Sequence, residues 1–209
     1  MTSPANGRMD RNEVSGSGFQ LLTETRNLFL KPDTMSYDID ICVEDARWLA
    51  ALPEVAAVCA RACAAALDSC GVAAYAGEAG VAMLLTGDEQ MQDLNRRYRD
   101  QDKPTNVLSF PQVVLHPEHL AVLAQDSRAH VPIILGDIAL GYDTMAREAE
   151  AEGKTIADHT SHLVVHATLH LLGYDHLEER QAQAMEAKEA AILAALGVND
   201  PYAALGGMI

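Results

Sequence analysis

The segment HATLHLLGYDH, residues 166–176, constrains this 209-residue chain more than any other stretch. His166 and His170 are four residues apart, so on a helix their imidazoles leave one face about 5–6 Å apart and converge on a single cation. Gly173 stands where a helix turns out through a left-handed residue, and such a turn brings His176 back as a third donor. Three neutral nitrogens leave one tetrahedral vertex for water, whose pKa a zinc ion lowers to about 7. The spacing predicts one metal ion per chain in a hydrolytic site, Zn2+ by donor type, with nickel or copper permitted on affinity. His162 lies four residues before His166, but eight residues of straight helix rise about 12 Å, so His162 and His170 do not share an ion. Packing is its expected role. Asp175 is the candidate carboxylate for orienting a ligand imidazole.

The pattern HxxxHxxGxxH is also that of the metzincin proteases. Those enzymes place a glutamate general base after the first histidine, and here that position is Ala167, which transfers no proton. A cage without that base suits a reaction whose transition state mainly needs charge stabilisation, such as phosphodiester cleavage.

A basic cluster supports a phosphate substrate. Arg96, Arg97, Arg99 and Lys103 fall within NRRYRDQDK, residues 95–103, in a chain with only 15 Lys and Arg against 30 Asp and Glu. Arginine offers a planar fork to two phosphate oxygens, and Tyr98 offers a face for a base. The competing reading pairs these arginines with Asp100 and Asp102 at a helix C-terminus. The net charge of −15 excludes a broad electrostatic grip on nucleic acid and leaves a local basic site, or RNA presented by a larger partner.

The hydrophobic fraction of 49% suffices for one core, and no stretch reaches the roughly 18 apolar residues of a membrane span. Without an apolar block near its start, the chain is expected not to be exported and reads as cytoplasmic, with no membrane partner. Cys42, Cys59, Cys63 and Cys70 form no CxxC pair and fit buried thiols in a reducing compartment.

Residues 1–34 read as a disordered extension, 35–202 as the catalytic domain and 203–209 as a flexible tail. Tyr37, Ile39, Ile41 and Val43 alternate as in a strand, and Pro53 opens an alanine-rich helix that ends near Ser69 before Gly71. Further strands are expected at Val81–Gly87, at VLSF after the DKPTN turn, and at Ile133–Leu140. Asp88 is expected to cap a helix reaching about Arg97, and residues 112–132 read as a surface excursion. Helices are expected at Thr144–Glu152, Ile156–Leu172 and Leu177–Leu196, the last with an apolar stripe of Met185, Ile192, Leu193 and Leu196. Strands early and helices late predict an α+β fold with about four strands and five or six helices.

Four segments in order resemble the YbeY family of bacterial endoribonucleases: LNRRYRDQDKPTNVLSFP, LGDI at Leu135–Ile138, HATLHLLGYDH and LGVNDPY at Leu196–Tyr202. Ala167 stands where that family's histidine motif commonly has glycine, which leaves the ligands intact. The resemblance implies a zincin-like α+β fold and zinc on His166, His170 and His176. It also implies cleavage of single-stranded RNA in 16S rRNA 3′-end maturation and ribosome quality control, with the ribosome or small subunit as partner. It singles out Arg99 as the basic catalytic residue. Asp137 in LGDI either orients a loop or ligand or is a buried aspartate satisfied by backbone. Two other readings stay open: a ribosome assembly factor with a mainly structural zinc, and an atypical metalloprotease.

Overall fold

Ile39, Ile41 and Val43 all point into one buried layer, as their two-residue period requires. They lie on β2 (Asp38–Val43) of a five-stranded sheet whose order is β1-β2-β3-β5-β4. The computed structural model describes residues 29–30, 37–74, 79–117 and 132–202. The other strands are β1 (Phe29–Leu30), β3 (Ala79–Thr86), β4 (Val107–Pro111) and β5 (Ile133–Gly141). Six α-helices occur among the described residues: α1 (Arg47–Ala51), α2 (Val55–Ser69), α3 (Asp88–Arg99), α4 (Tyr142–Ala151), α5 (Ile156–Leu171) and α6 (Glu179–Ala195). None is long and apolar enough to cross a membrane.

The sheet is mixed. β2, β3 and β5 run parallel, whereas β1 and β4 pair antiparallel at the two edges. The larger core joins one face of β2, β3 and β5 to α2, α5 and α6. A smaller core on the other face joins Cys42, Leu84, Leu108 and Ala139 to Met91 and Leu94 of α3. The central strands are thus covered on both faces, which is why Cys42 is buried beside the alternating row. Cys59 and Cys63 are buried free thiols of the larger core, as read from the sequence.

Three details depart from the sequence reading. The two-residue β1 falls inside the expected extension and pairs Phe29 with Cys42 and Leu30 with Ile41; the rest of residues 1–34, together with residues 35–36 and 203–209, lie outside the described residues. Helix α1 carries no periodic signal in five residues; it is fixed by Trp48, fully buried, whose Nε1 donates to the Thr86 carbonyl at 3.0 Å. Asp88 does not cap α3. Gly87 is the N-cap, and the Asp88 carboxylate accepts instead from the Thr144 backbone N–H at 3.0 Å and hydroxyl at 2.8 Å, tying α3 to α4. Of the excursion over 112–132, residues 118–131 lie outside the described residues.

Candidate metal centre

Helix α5 is anchored before it presents anything. The Thr155 side chain caps its start by accepting from the Asp158 N–H at 3.0 Å, and Leu163, Val164, Val165, Ala167, Leu169 and Leu171 are buried. His166 and His170 emerge on the remaining face, half-buried. Gly136 of β5, at φ +147°, lets the end of α5 lie against the β4–β5 edge: an added Cβ there would sit 2.3 Å from the Phe110 carbonyl oxygen and 3.0 Å from Leu171 Cδ2.

The helix ends as the glycine predicts. Gly173 has φ +85°, the Gly173 N–H donates to the His170 carbonyl at 3.1 Å and the Tyr174 N–H to the Leu169 carbonyl at 3.0 Å, which is the Schellman pattern. A Cβ at Gly173 would lie 2.0 Å from the Leu115 carbonyl oxygen, so close passage of that segment also demands glycine. The turn returns His176 to the site, its ring centroid 5.1 Å from that of His170 and 5.8 Å from that of His166. One nitrogen from each of the three histidines lies within 4.8 Å of the others.

Hydrogen bonding assigns the tautomers. His170 Nδ1 faces the Tyr174 carbonyl at 3.0 Å, which can only accept, so Nδ1 carries the hydrogen. His166 Nδ1 faces Glu189 Oε1 at 2.7 Å, an acceptor that burial alone would push up but that hydrogen bonds from His162, His166 and Tyr202 hold down at about 2. The two Nε2 atoms face each other 3.1 Å apart. Burial, and next the neighbouring His166 and His176, lower His170 to about 4, so at neutral pH it brings no proton to bridge them. Two nitrogens on a tetrahedral zinc, each at about 2.0–2.1 Å, would be about 3.3 Å apart, so the donor set fits such an ion.

The orienting role expected of Asp175 falls to other groups. Its Oδ1 accepts from the His176 backbone N–H at 2.7 Å, while Glu189 and the Tyr174 carbonyl hold the rings of His166 and His170. Glu189 was missed in the sequence, although it has a signal: it fills the slot between Met185 and Ile192 on the apolar stripe of α6 and is fully buried. His162 packs edge-on to His159, His166 and Tyr202, with Nε2 3.6 Å from Glu189.

The basic cluster divides. Arg99, the last residue of α3, lines a cleft of about 650 Å³ together with the three histidines, Ser109 and Asp175. Its guanidinium donates to the Ser109 carbonyl at 2.9 Å on edge strand β4. Arg96 and Arg97 instead pair with Asp93 at 2.6 and 2.5 Å, not with Asp100 or Asp102. Tyr98 packs edge-on against Phe110 at 5.1 Å in the smaller core, so its face is not presented to the cleft. Asp137 is buried on β5 with no backbone partner for its carboxylate, and burial pushes it up to about 6 while the Gln112 side chain pulls the other way.

The model of the family described as Endoribonuclease YbeY matches residues 38–197. The chain belongs to that family. A protein of Azorhizobium caulinodans named Endoribonuclease YbeY is 48% identical over 166 residues, 79% of this chain and 96% of that protein. One of Paramagnetospirillum magneticum with the same name is 43% identical over 169 residues, 81% of this chain and 98% of that protein. A solution structure of TM1509 from Thermotoga maritima aligns with 75% of this chain and 86% of its own, at 20% identity and a TM-score of 0.41. Membership makes this chain an endoribonuclease, with RNA as its substrate class, and disfavours both the peptidase and the purely structural readings.

Proposed function

We propose that this chain is a zinc-dependent endoribonuclease that cuts single-stranded RNA, acting in 16S rRNA 3′-end maturation and ribosome quality control in the cytoplasm. His166, His170 and His176 are its metal ligands and Arg99 its catalytic residue. One observation carries the reading: one nitrogen from each of His166, His170 and His176 lies within 4.8 Å of the others, in the cleft that Arg99 lines.

When bound, zinc supplies Lewis-acid polarisation of a phosphate oxygen and lowers the pKa of water to about 7. Arg99 supplies the charge that a phosphodiester transition state needs, from a guanidinium already held in place by the Ser109 carbonyl. The attacking oxygen is that of water or of the RNA's own 2′-hydroxyl; a free 3′-hydroxyl or a cyclic phosphate on the product distinguishes the two. With a net charge of −15, the chain meets RNA at this local site, and the ribosome or its small subunit presents the strand. The family match over 38–197 supports a catalytic domain over 35–202.

The test is zinc content of protein purified without added metal, paired with cleavage of a small-subunit rRNA precursor. Stoichiometric zinc and cuts in single-stranded segments are expected. Protein that carries zinc and leaves the precursor intact would falsify the nuclease reading.

A further inference from the structure

Glu189 is the one fully buried carboxylate among the described residues, and both its oxygens point at the candidate metal centre's support. Oε1 accepts from His166 Nδ1 at 2.7 Å. Oε2 accepts from the Tyr202 hydroxyl and lies 3.6 Å from His162 Nε2. Tyr202 reaches this position because the chain turns beyond α6 at Gly197, φ +77°, and the Tyr202 N–H then donates to Asp200 Oδ1 at 2.8 Å. The segment after α6 thus folds back onto the interior of the site.

We propose that Glu189 and Tyr202 are a positioning pair for the metal centre: Glu189 holds His166 in the tautomer that bares Nε2, and Tyr202 fixes Glu189. The inference rests on the metal reading above. Its physics is that of a carboxylate behind a ligand imidazole: the anion selects the tautomer, fixes the ring's rotation and raises the basicity of the nitrogen offered to the ion. Tyr202 adds what Glu189 lacks. A glutamate carboxylate rotates about its last bond, and a second donor on Oε2 holds Oε1 toward His166. Burial, and next the hydrogen bond to Glu189, raise the Tyr202 phenol above its usual range, so it remains a donor.

The experiment measures zinc affinity of the full chain by competition with a chromophoric chelator, and unfolding midpoints with and without zinc. The variants are Glu189→Gln, Tyr202→Phe, the double variant, and His170→Ala as a ligand control. Glu189→Gln is expected to weaken zinc binding roughly 10- to 100-fold. Tyr202→Phe, which keeps the ring and its packing, is expected to weaken it on the order of three- to tenfold, the size of one hydrogen bond. The double variant should bind no more weakly than Glu189→Gln alone, because Tyr202 acts through Glu189. Parent-like zinc affinity in both single variants, with none in His170→Ala, overturns the positioning pair and leaves the metal centre standing. Additive losses in the double variant overturn the route through Glu189. A parent chain that binds no zinc removes the metal reading and this inference together.

Discussion

Two clefts of this molecule differ in size and in the state of their polar groups. The larger, about 980 Å³, lies beyond the ends of β2 and β3 and is lined by Glu44, Asp45, Arg47, Asp88 and Asp143 among others. Its charges answer one another: Arg47 bridges Asp45 and Asp143 at 2.5 Å each, and Arg147 and Thr144 hold Asp88. Hydrogen bonds from Arg47 keep Asp45 and Asp143 below the usual carboxylate range. Among the residues lining it, one Glu44 oxygen is buried without a hydrogen bond. The smaller cleft, about 650 Å³, instead gathers three imidazoles, with the Nε2 atoms of His166 and His170 3.1 Å apart. Volume is a poor guide to chemistry here; metal-ligating side chains that converge on one point are the better one.

The contrast breaks most easily at the histidines. His170→Ala should abolish both zinc content and RNA cleavage while the chain stays folded, because its ring is only half-buried. Elemental analysis and a cleavage assay check this, and normal values in both would remove the distinction between the clefts. Next in size, Arg99→Glu should retain zinc and cut the cleavage rate about 10²- to 10³-fold, the loss typical of one charge-stabilising donor. A proportional loss of zinc would instead make Arg99 part of the metal's support.

A smaller effect concerns Asp137, which belongs to neither cleft's lining. Its folded pKa of about 6 is above the unfolded value near 3.9, so the native state binds the extra proton between those values and stability falls as pH rises through that window. Asp137→Asn should therefore stabilise the chain by roughly 2–3 kcal/mol at pH 7 and by little at pH 3.5, as read by denaturant unfolding at both pH values. Equal effects at both would mean that the carboxyl is not held up by burial. The smallest change is expected from Arg47→Met in the larger cleft: unaltered zinc content and cleavage, with a slight loss of thermal stability at pH 7. Because Asp45 and Asp143 are held down by Arg47, that loss should be present above about pH 4 and fade as acid protonates them. A large drop in cleavage would bring the acidic cleft into the reaction.

Much of the arrangement is legible along the chain. The alternation at Ile39, Ile41 and Val43, the glycine stop at Gly71 and the alanine-rich run after Pro53 place strands and helices close to where they occur, because each is a local pattern with a local cause. The 166–176 segment is legible for the same reason: helix pitch and one left-handed glycine suffice to gather three rings. Helix α1 was not legible, since five residues hold no period and its stability comes from Trp48 packing beneath Thr86. The basic cluster was legible only as a group. Its division into Arg99 on the cleft and Arg96 and Arg97 on Asp93 depends on which way each residue of α3 faces once the helix docks.

By itself, then, the sequence determined the histidine-bearing face of α5, the turn that completes it, and the family to which the chain belongs. Tertiary structure alone decided what stands behind and beside those rings: Glu189 from α6, Tyr202 from the turn beyond it, and Arg99 from the far end of α3. The physical reason is range. Helix periodicity and glycine conformation act over a few residues, whereas the partner of a buried imidazole is whichever group the packing of distant elements delivers to within about 3 Å of its nitrogen.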